Sequence, residues 1–170
     1  MRVIETERLN LRWLTETDEE FILDLLNQPS WLEYIGDRGV RNLEDARAYI
    51  RNGPLAMIAQ HGFGLYLVES KATGMSMGLC GLLKREALED VDIGFAFLPD
   101  YAGQGYAREA AQACLEYASE NLGLQRLVAI TLPTNKNSIR LLDSLGMQHE
   151  SDVSLEEGGQ LLQLFAKKLR

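Results

Sequence analysis

"GFAFLPDYAGQGYAREAAQA", residues Gly94 to Ala113, is the stretch that decides the fold. It begins inside an apolar run with strand character and meets Pro99, which lacks an N–H and ends the pairing. A glycine pair, Gly103 and Gly105, follows, and then a helix-forming run. Glycines ahead of a helix let backbone N–H groups converge on an anion, and the helix dipole favours negative charge at the same place. By itself the stretch fits a plain strand–helix connector as well as an anion cradle. It lacks the GK[ST] of a phosphate loop and the third spaced glycine of a dinucleotide fingerprint, and "VAITLP" offers no acid at the end of the next strand.

Working outward, Val91 to Leu98 reads as a strand with Val91, Ile93, Phe95 and Phe97 on one face and Asp92, Gly94, Ala96 and Leu98 on the other. Gly105 to Leu122 reads as a helix. Ala107, Ala110, Ala111, Cys114, Ala118 and Leu122 share one side, while Arg108, Glu109, Gln112, Glu116 and Ser119 share another. "RLVAITL" is a continuous apolar run, the mark of a central strand, so Val91 to Thr131 predicts a right-handed parallel crossover. Thr134 or Asn135 then caps a helix ending at "LGM", and final strands (Met147 to His149, Leu161 to Lys167) flank the turn "EEGG".

Toward the N-terminus, "ERLNLRWL" sets Leu9, Leu11 and Trp13 against Arg8, Asn10 and Arg12, the pattern of a half-buried strand. A helix capped at Thr15 or Thr17 runs to about Asn27, and "PSWLEYIGDRGV" reads as irregular chain. Asn42 with Asp45 opens a helix over Leu43 to Asn52 that Gly53-Pro54 stops. Two strands, Gly62 to Glu69 and Met75 to Lys84, form an antiparallel hairpin about "SKATG". The order predicts a mixed α/β (α+β) sheet, mostly hairpin-linked, in a single domain over residues 1–170.

The 170 residues suffice to bury a core without disulfides or metals, and 46% apolar with 25% charged residues describes a soluble globular chain. Its apolar runs are too short to span a bilayer, and "MRVIETERLN" lacks the apolar stretch of a signal peptide, so the expected location is the cytoplasm. A net charge of −8 argues against broad nucleic-acid binding and fits a cationic acceptor. Cys80 and Cys114 form no CxxC and read as buried, reduced thiols; His61 and His149 are isolated, so no metal is expected.

"DIGFAFLPDYAGQGYAREA", "RLVAIT" and "PTNKNSIRLLDSLGM" together resemble the GNAT superfamily of acyl-CoA-dependent N-acyltransferases, and "TERLNLRWL" resembles its RimJ/RimL branch, the ribosomal-protein N-terminal acetyltransferases. The resemblance runs from Glu5 to Phe165. It implies a GNAT-type, mostly antiparallel central sheet with a splayed parallel strand pair and flanking helices. It implies acetyl-CoA as co-substrate and acetyl transfer to a primary amine, a protein N-terminus or a small amine, by direct attack in a ternary complex. A non-catalytic acyl-CoA-binding module on the same fold is the alternative. Nucleic acid, membrane and metal are not expected, and the chain is expected to be a monomer or homodimer.

The family's loop pattern, Gln/Arg-x-x-Gly-x-Gly/Ala, falls on Ala102 to Ala107, with Ala102 replacing its first side chain. By that similarity the backbone of Gly103, Gln104, Gly105, Tyr106, Ala107 and Arg108 holds the coenzyme A pyrophosphate. The edge formed by Phe95, Ala96, Phe97 and Leu98 pairs with the pantetheine arm, and an N–H from Ala96 to Leu98 polarises the thioester carbonyl. Asp92, an acid inside an apolar strand, matches the family's glutamate base, with water bridging its shorter side chain. Asn135 and Ser138 match an Asn-x-x-Ser pattern, the asparagine near the pantetheine and the serine near the sulfur; a helix cap and a first-turn polar residue fit the same spacing. Leu142 stands where many relatives carry a tyrosine acid, which leaves Ser138 as the donor. Trp31, Tyr34 and Asp37 are the expected acceptor residues, with Glu33 beside them, although the aromatics also fit a core and Asp37-Arg38-Gly39 a turn.

Overall fold

The computed structural model describes residues 1–169. Burial of alternate leucines makes β2 (Leu9–Arg12): Leu9 and Leu11 are buried while Asn10 and Arg12 are half-buried. It pairs with β1 (Arg2–Glu5), a strand the sequence did not announce, because its two apolar residues sit between charges. A 3-10 turn at Glu16–Asp18 leads into α1 (Glu19–Leu26). Two segments differ from expectation. "PSWLEY" is helical, α2 (Pro29–Tyr34), with Pro29 at the first helical position. After α3 (Leu43–Asn52), capped by the Asn42 side chain at 2.8 Å from the Asp45 N–H, Pro54 does not stop the helical path but begins α4 (Pro54–His61). Proline is at home where an N–H has no intrahelical partner in any case.

The remaining elements follow the expected order with small boundary shifts. They are β3 (Leu65–Ser70), β4 (Ser76–Leu83), β5 (Asp92–Phe97), α5 (Tyr106–Glu120), β6 (Arg126–Thr131), α6 (Lys136–Ser144), β7 (Gln148–Val153) and β8 (Leu162–Lys168). One eight-stranded sheet results, in the order β1-β2-β3-β4-β5-β6-β8-β7. Every neighbouring pair is antiparallel except β5 and β6.

Both faces of the sheet are covered. On one, α5 lays Ala110, Ala111, Cys114, Leu115 and Ala118 against Tyr66, Cys80, Leu82, Ile93 and Leu127. On the other, α1 and α3 bury Ile22, Leu25, Ala46 and Ile50 with Trp31, Leu67 and Leu79. The alternation of Tyr66 and Leu67 between the two cores follows from the two-residue period of a strand. None of the described helices is long and apolar enough to cross a membrane.

Candidate active site

The site grows from the parallel pair. β5 is hydrogen-bonded to β4 along its length, from Asp92 opposite Leu83 to Phe97 opposite Gly78. Toward β6 its register holds one pair, Asp92 with Val128, closed by the Val128 N–H donating to the Val91 carbonyl at 3.1 Å. Beyond Asp92 the two strands part and leave β5 with an open edge. Backbone groups alternate along a strand, so the direction of each can be assigned. The Leu98 N–H donates to the Met77 carbonyl at 2.9 Å and therefore faces β4, and Ala96 shares that side. Val91 faces β6, and Ile93, Phe95 and Phe97 share that side; past the pair that Val91 and Ile93 flank, Phe95 and Phe97 present their N–H and C=O groups to the open edge. The donor expected within Ala96 to Leu98 thus narrows to Phe97.

Asp92 lies at the closed end of this opening. It is 1% exposed, not a solvated strand-end acid. The Arg85 Nε sits 3.2 and 3.3 Å from its two carboxylate oxygens. Burial raises the Asp92 pKa to about 6, against the pull of the Arg85 and Lys84 charges. The Arg85 side chain keeps 30% of its surface. Lys84 donates to the carbonyls of Arg85 and Leu88, which ties down the loop that carries this pair. Tyr49 of α3 is half-buried, its phenol pushed up by burial against the charges of Arg38 and Arg85. It lines a cavity of about 190 Å³ with Leu65 and Leu83, the latter directly opposite Asp92 in the register.

The glycine loop follows β5 through a 3-10 turn at Pro99–Tyr101. Gly103 and Gly105 have φ of +73° and +82°, the left-handed region that side chains resist. Helix α5 makes its first bond from the Glu109 N–H to the Gly105 carbonyl, 3.0 Å, so the N–H groups of Tyr106, Ala107 and Arg108 have no intrahelical acceptor. Loop and helix start therefore offer a run of backbone donors beside the open edge of β5. Across the opening, β6 leads to α6, where the Asn135 Oδ1 accepts the Ser138 N–H at 3.2 Å. Asn135 is thus a helix cap in this structure, and Ser138 is half-buried in the first turn.

The three acceptor residues expected near α2 are not grouped as one wall. Trp31 is 5% exposed and packs into the α1–α3 core, its indole N–H buried without a hydrogen-bond partner among the described residues. Tyr34 is half-buried. Asp37 is exposed, paired with Arg41 and accepting the Gly39 N–H at 2.8 Å; Arg41 and that N–H lower its pKa to about 2.

A family model described as an acetyltransferase (GNAT) domain matches residues 8–148. The chain belongs to this GNAT acetyltransferase family. It is 30% identical over 151 residues to YkkB of Bacillus subtilis, covering 87% of this chain and 86% of that one. It is also 30% identical over 147 residues to the N-acetyltransferase YnaD of the same organism, covering 86% and 83%. Among solved structures, a GNAT-family acetyltransferase from Bacillus anthracis superposes with a TM-score of 0.82 at 26% identity over 99% of both chains. The RimL ribosomal L7/L12 α-N-protein acetyltransferase in complex with coenzyme A shares the fold, with a TM-score of 0.81 at 18% identity over 99% of this chain and 98% of that one.

As a GNAT acetyltransferase the chain belongs to enzymes that use acetyl-CoA and act on amines. At the position where many GNAT enzymes place a tyrosine, Leu142 is fully buried in the α5-side core. Two residues near the site were missed in the sequence. Arg85 carried a signal: hairpin arithmetic sets the end of β4 opposite the start of β5, so a cation just past Leu83 falls near Asp92. Arg8 carried none, since alternation assigns it only to the solvent side of β2.

Proposed function

We propose that the chain is an acetyl-CoA-dependent N-acetyltransferase that acylates a primary amine, either a protein N-terminus or a small amine, by direct attack in a ternary complex. The observation that carries this reading is the single register pair between β5 and β6. A parallel pair that opens after one residue exposes a strand edge at the mouth of a donor-rich helix start, and so offers places for an extended amide-bearing arm and for its phosphates. The residues present suit coenzyme A. A Cβ built on Gly103 meets nothing within 4 Å, so the loop surface is open, and the donors from Gly103 to Arg108 are backbone groups indifferent to the change at Ala102.

Bound acetyl-CoA supplies an activated acyl carbon and a thiolate leaving group. Phe95 and Phe97 offer backbone groups to the arm, and the Phe97 N–H is the donor on that edge for a carbonyl oxygen. Asp92, with a pKa of about 6, is ionised at neutral pH and accepts the amine proton through water. Ser138 donates a hydrogen bond toward the departing sulfur. The acceptor enters past Tyr34 and Tyr49 toward Asp92.

Two measurements test this together. Acetyl-CoA raises Tm, as any ligand selective for the folded state does, and an amine and peptide panel releases free thiol. No Tm rise at millimolar acetyl-CoA overturns the reading. A Tm rise with no thiol released across the panel supports instead a non-catalytic acyl-CoA-binding module, the reading that Leu142 in place of tyrosine favours.

A further inference from the structure

Arg8 reaches from the start of β2 to the glycine loop. Its Nη1 donates to the Gln104 carbonyl at 3.1 Å, and its guanidinium carbon lies 4.3 Å from the centroid of the Tyr106 ring. It is itself held. The Arg8 Nε donates to the Glu109 Oε1 at 2.6 Å, while the Arg8 backbone N–H (2.9 Å) and the Thr6 hydroxyl (2.5 Å) donate to the Glu109 Oε2. Burial works against the Glu109 charge, but these donors hold its carboxyl below the usual range. One guanidinium therefore joins three parts of the chain: the N-terminal strand, the loop and the first turn of α5.

The effect on the loop follows from peptide geometry. In a trans peptide the C=O of one residue and the N–H of the next point in opposite directions. Holding the Gln104 carbonyl on the Arg8 side aims the Gly105 N–H to the other side. On its far side the Gln104–Gly105 peptide is carried by Gly105, which has no Cβ and sits at φ +82°, so local sterics there do little to prevent it from flipping. The Gln104 side chain adds a second tie, donating to the Asp100 carbonyl at 3.0 Å. We infer that Arg8 is a positioning residue for the cofactor loop, fixing the Gly105 N–H toward the coenzyme A pyrophosphate through its bond to the Gln104 carbonyl. The inference rests on the proposed function.

Calorimetric titration tests it, with acetyl-CoA and with acetyl-pantetheine, which lacks the pyrophosphate. Arg8→Ala weakens acetyl-CoA binding about tenfold, the scale of one charge-assisted contact. It leaves thiol release from acetyl-pantetheine and the KM for the amine acceptor unchanged. Arg8→Lys keeps the charge but cannot grip Gln104 and Glu109 together, so it shows the same loss; it also provides the readout if the alanine variant does not fold. Equal acetyl-CoA affinity in wild type and Arg8→Lys overturns the inference and leaves the proposed function standing. An equal loss toward acetyl-pantetheine overturns it too, because the damage then has nothing to do with phosphate. A wild type that binds no acetyl-CoA removes both.

Discussion

At the scale of single residues the decisive group is Asp92, whose carboxylate is buried beside one guanidinium. Its role as base predicts that kcat/KM for the amine rises with pH through a limb near 6, the value that burial sets. Asp92→Asn removes that limb and lowers kcat by about 10²–10⁴-fold, the range of general-base assistance. Arg85→Gln deletes a charge that pulls the Asp92 pKa down, so the limb survives but moves to higher pH. A limb unchanged in Asp92→Asn assigns the proton transfer to another group. Stability provides an independent check. The folded-state pKa lies above the unfolded one, so between about pH 4 and 6 the native protein binds the proton more tightly. The Asp92 contribution to stability is therefore greatest at acid pH and falls as pH rises through that window. Asp92→Asn flattens this slope, measurable as Tm against pH.

At the scale of elements, two glycines do different work. Gly105 starts α5 at φ +82°, where a Cβ meets only the Arg8 Nη2 at 3.4 Å, an ordinary contact. Gly105→Ala therefore carries mainly the left-handed backbone penalty, about 1–2 kcal/mol. For a chain of this size that lowers Tm by about 2–4 °C per kcal/mol. Gly81, in the middle of β4, is under steric constraint: a Cβ there lies 2.1 Å from the Gly64 carbonyl. Gly81→Ala forces backbone apart between β3 and β4, so its soluble yield and Tm fall much further than those of Gly105→Ala. Similar losses for the two contradict this division. Elements were also where the sequence was most and least readable. The helix over Leu43 to Asn52 and the loop-to-α5 transition were legible because caps, glycines and apolar periods agree locally. Strand β1 and helices α2 and α4 were not, because short segments take their structure from what they pack on, and Pro29 and Pro54 look alike as stops and starts. Asp92 was visible as an acid in an apolar strand. Its partner Arg85 needed strand register, and Arg8 needed the tertiary position of a loop 96 residues away.

At the scale of the whole molecule, the two cysteines report how the crossover helix is joined to the sheet. Cys80 on β4 and Cys114 on α5 are buried, with their sulfurs 3.7 Å apart. The Cys114 contact and burial push the Cys80 thiol well above its usual pKa, so it is protonated and unreactive. Neither sulfur is reachable until α5 separates from the strands beneath it. The same helix begins at the proposed pyrophosphate loop, so ligand binding and thiol protection are coupled. An aromatic disulfide reagent should find no reactive thiol in the native protein and two after denaturation, which also keeps the background of a thiol-release assay low. If α5 leaves the sheet only in global unfolding, acetyl-CoA slows labelling by the factor by which it stabilises the folded state, about 100-fold at 100 times Kd. Labelling that is slow in the free protein and indifferent to acetyl-CoA would show that the C-terminal part of α5 lifts locally, with the loop at its N-terminal end still holding its ligand.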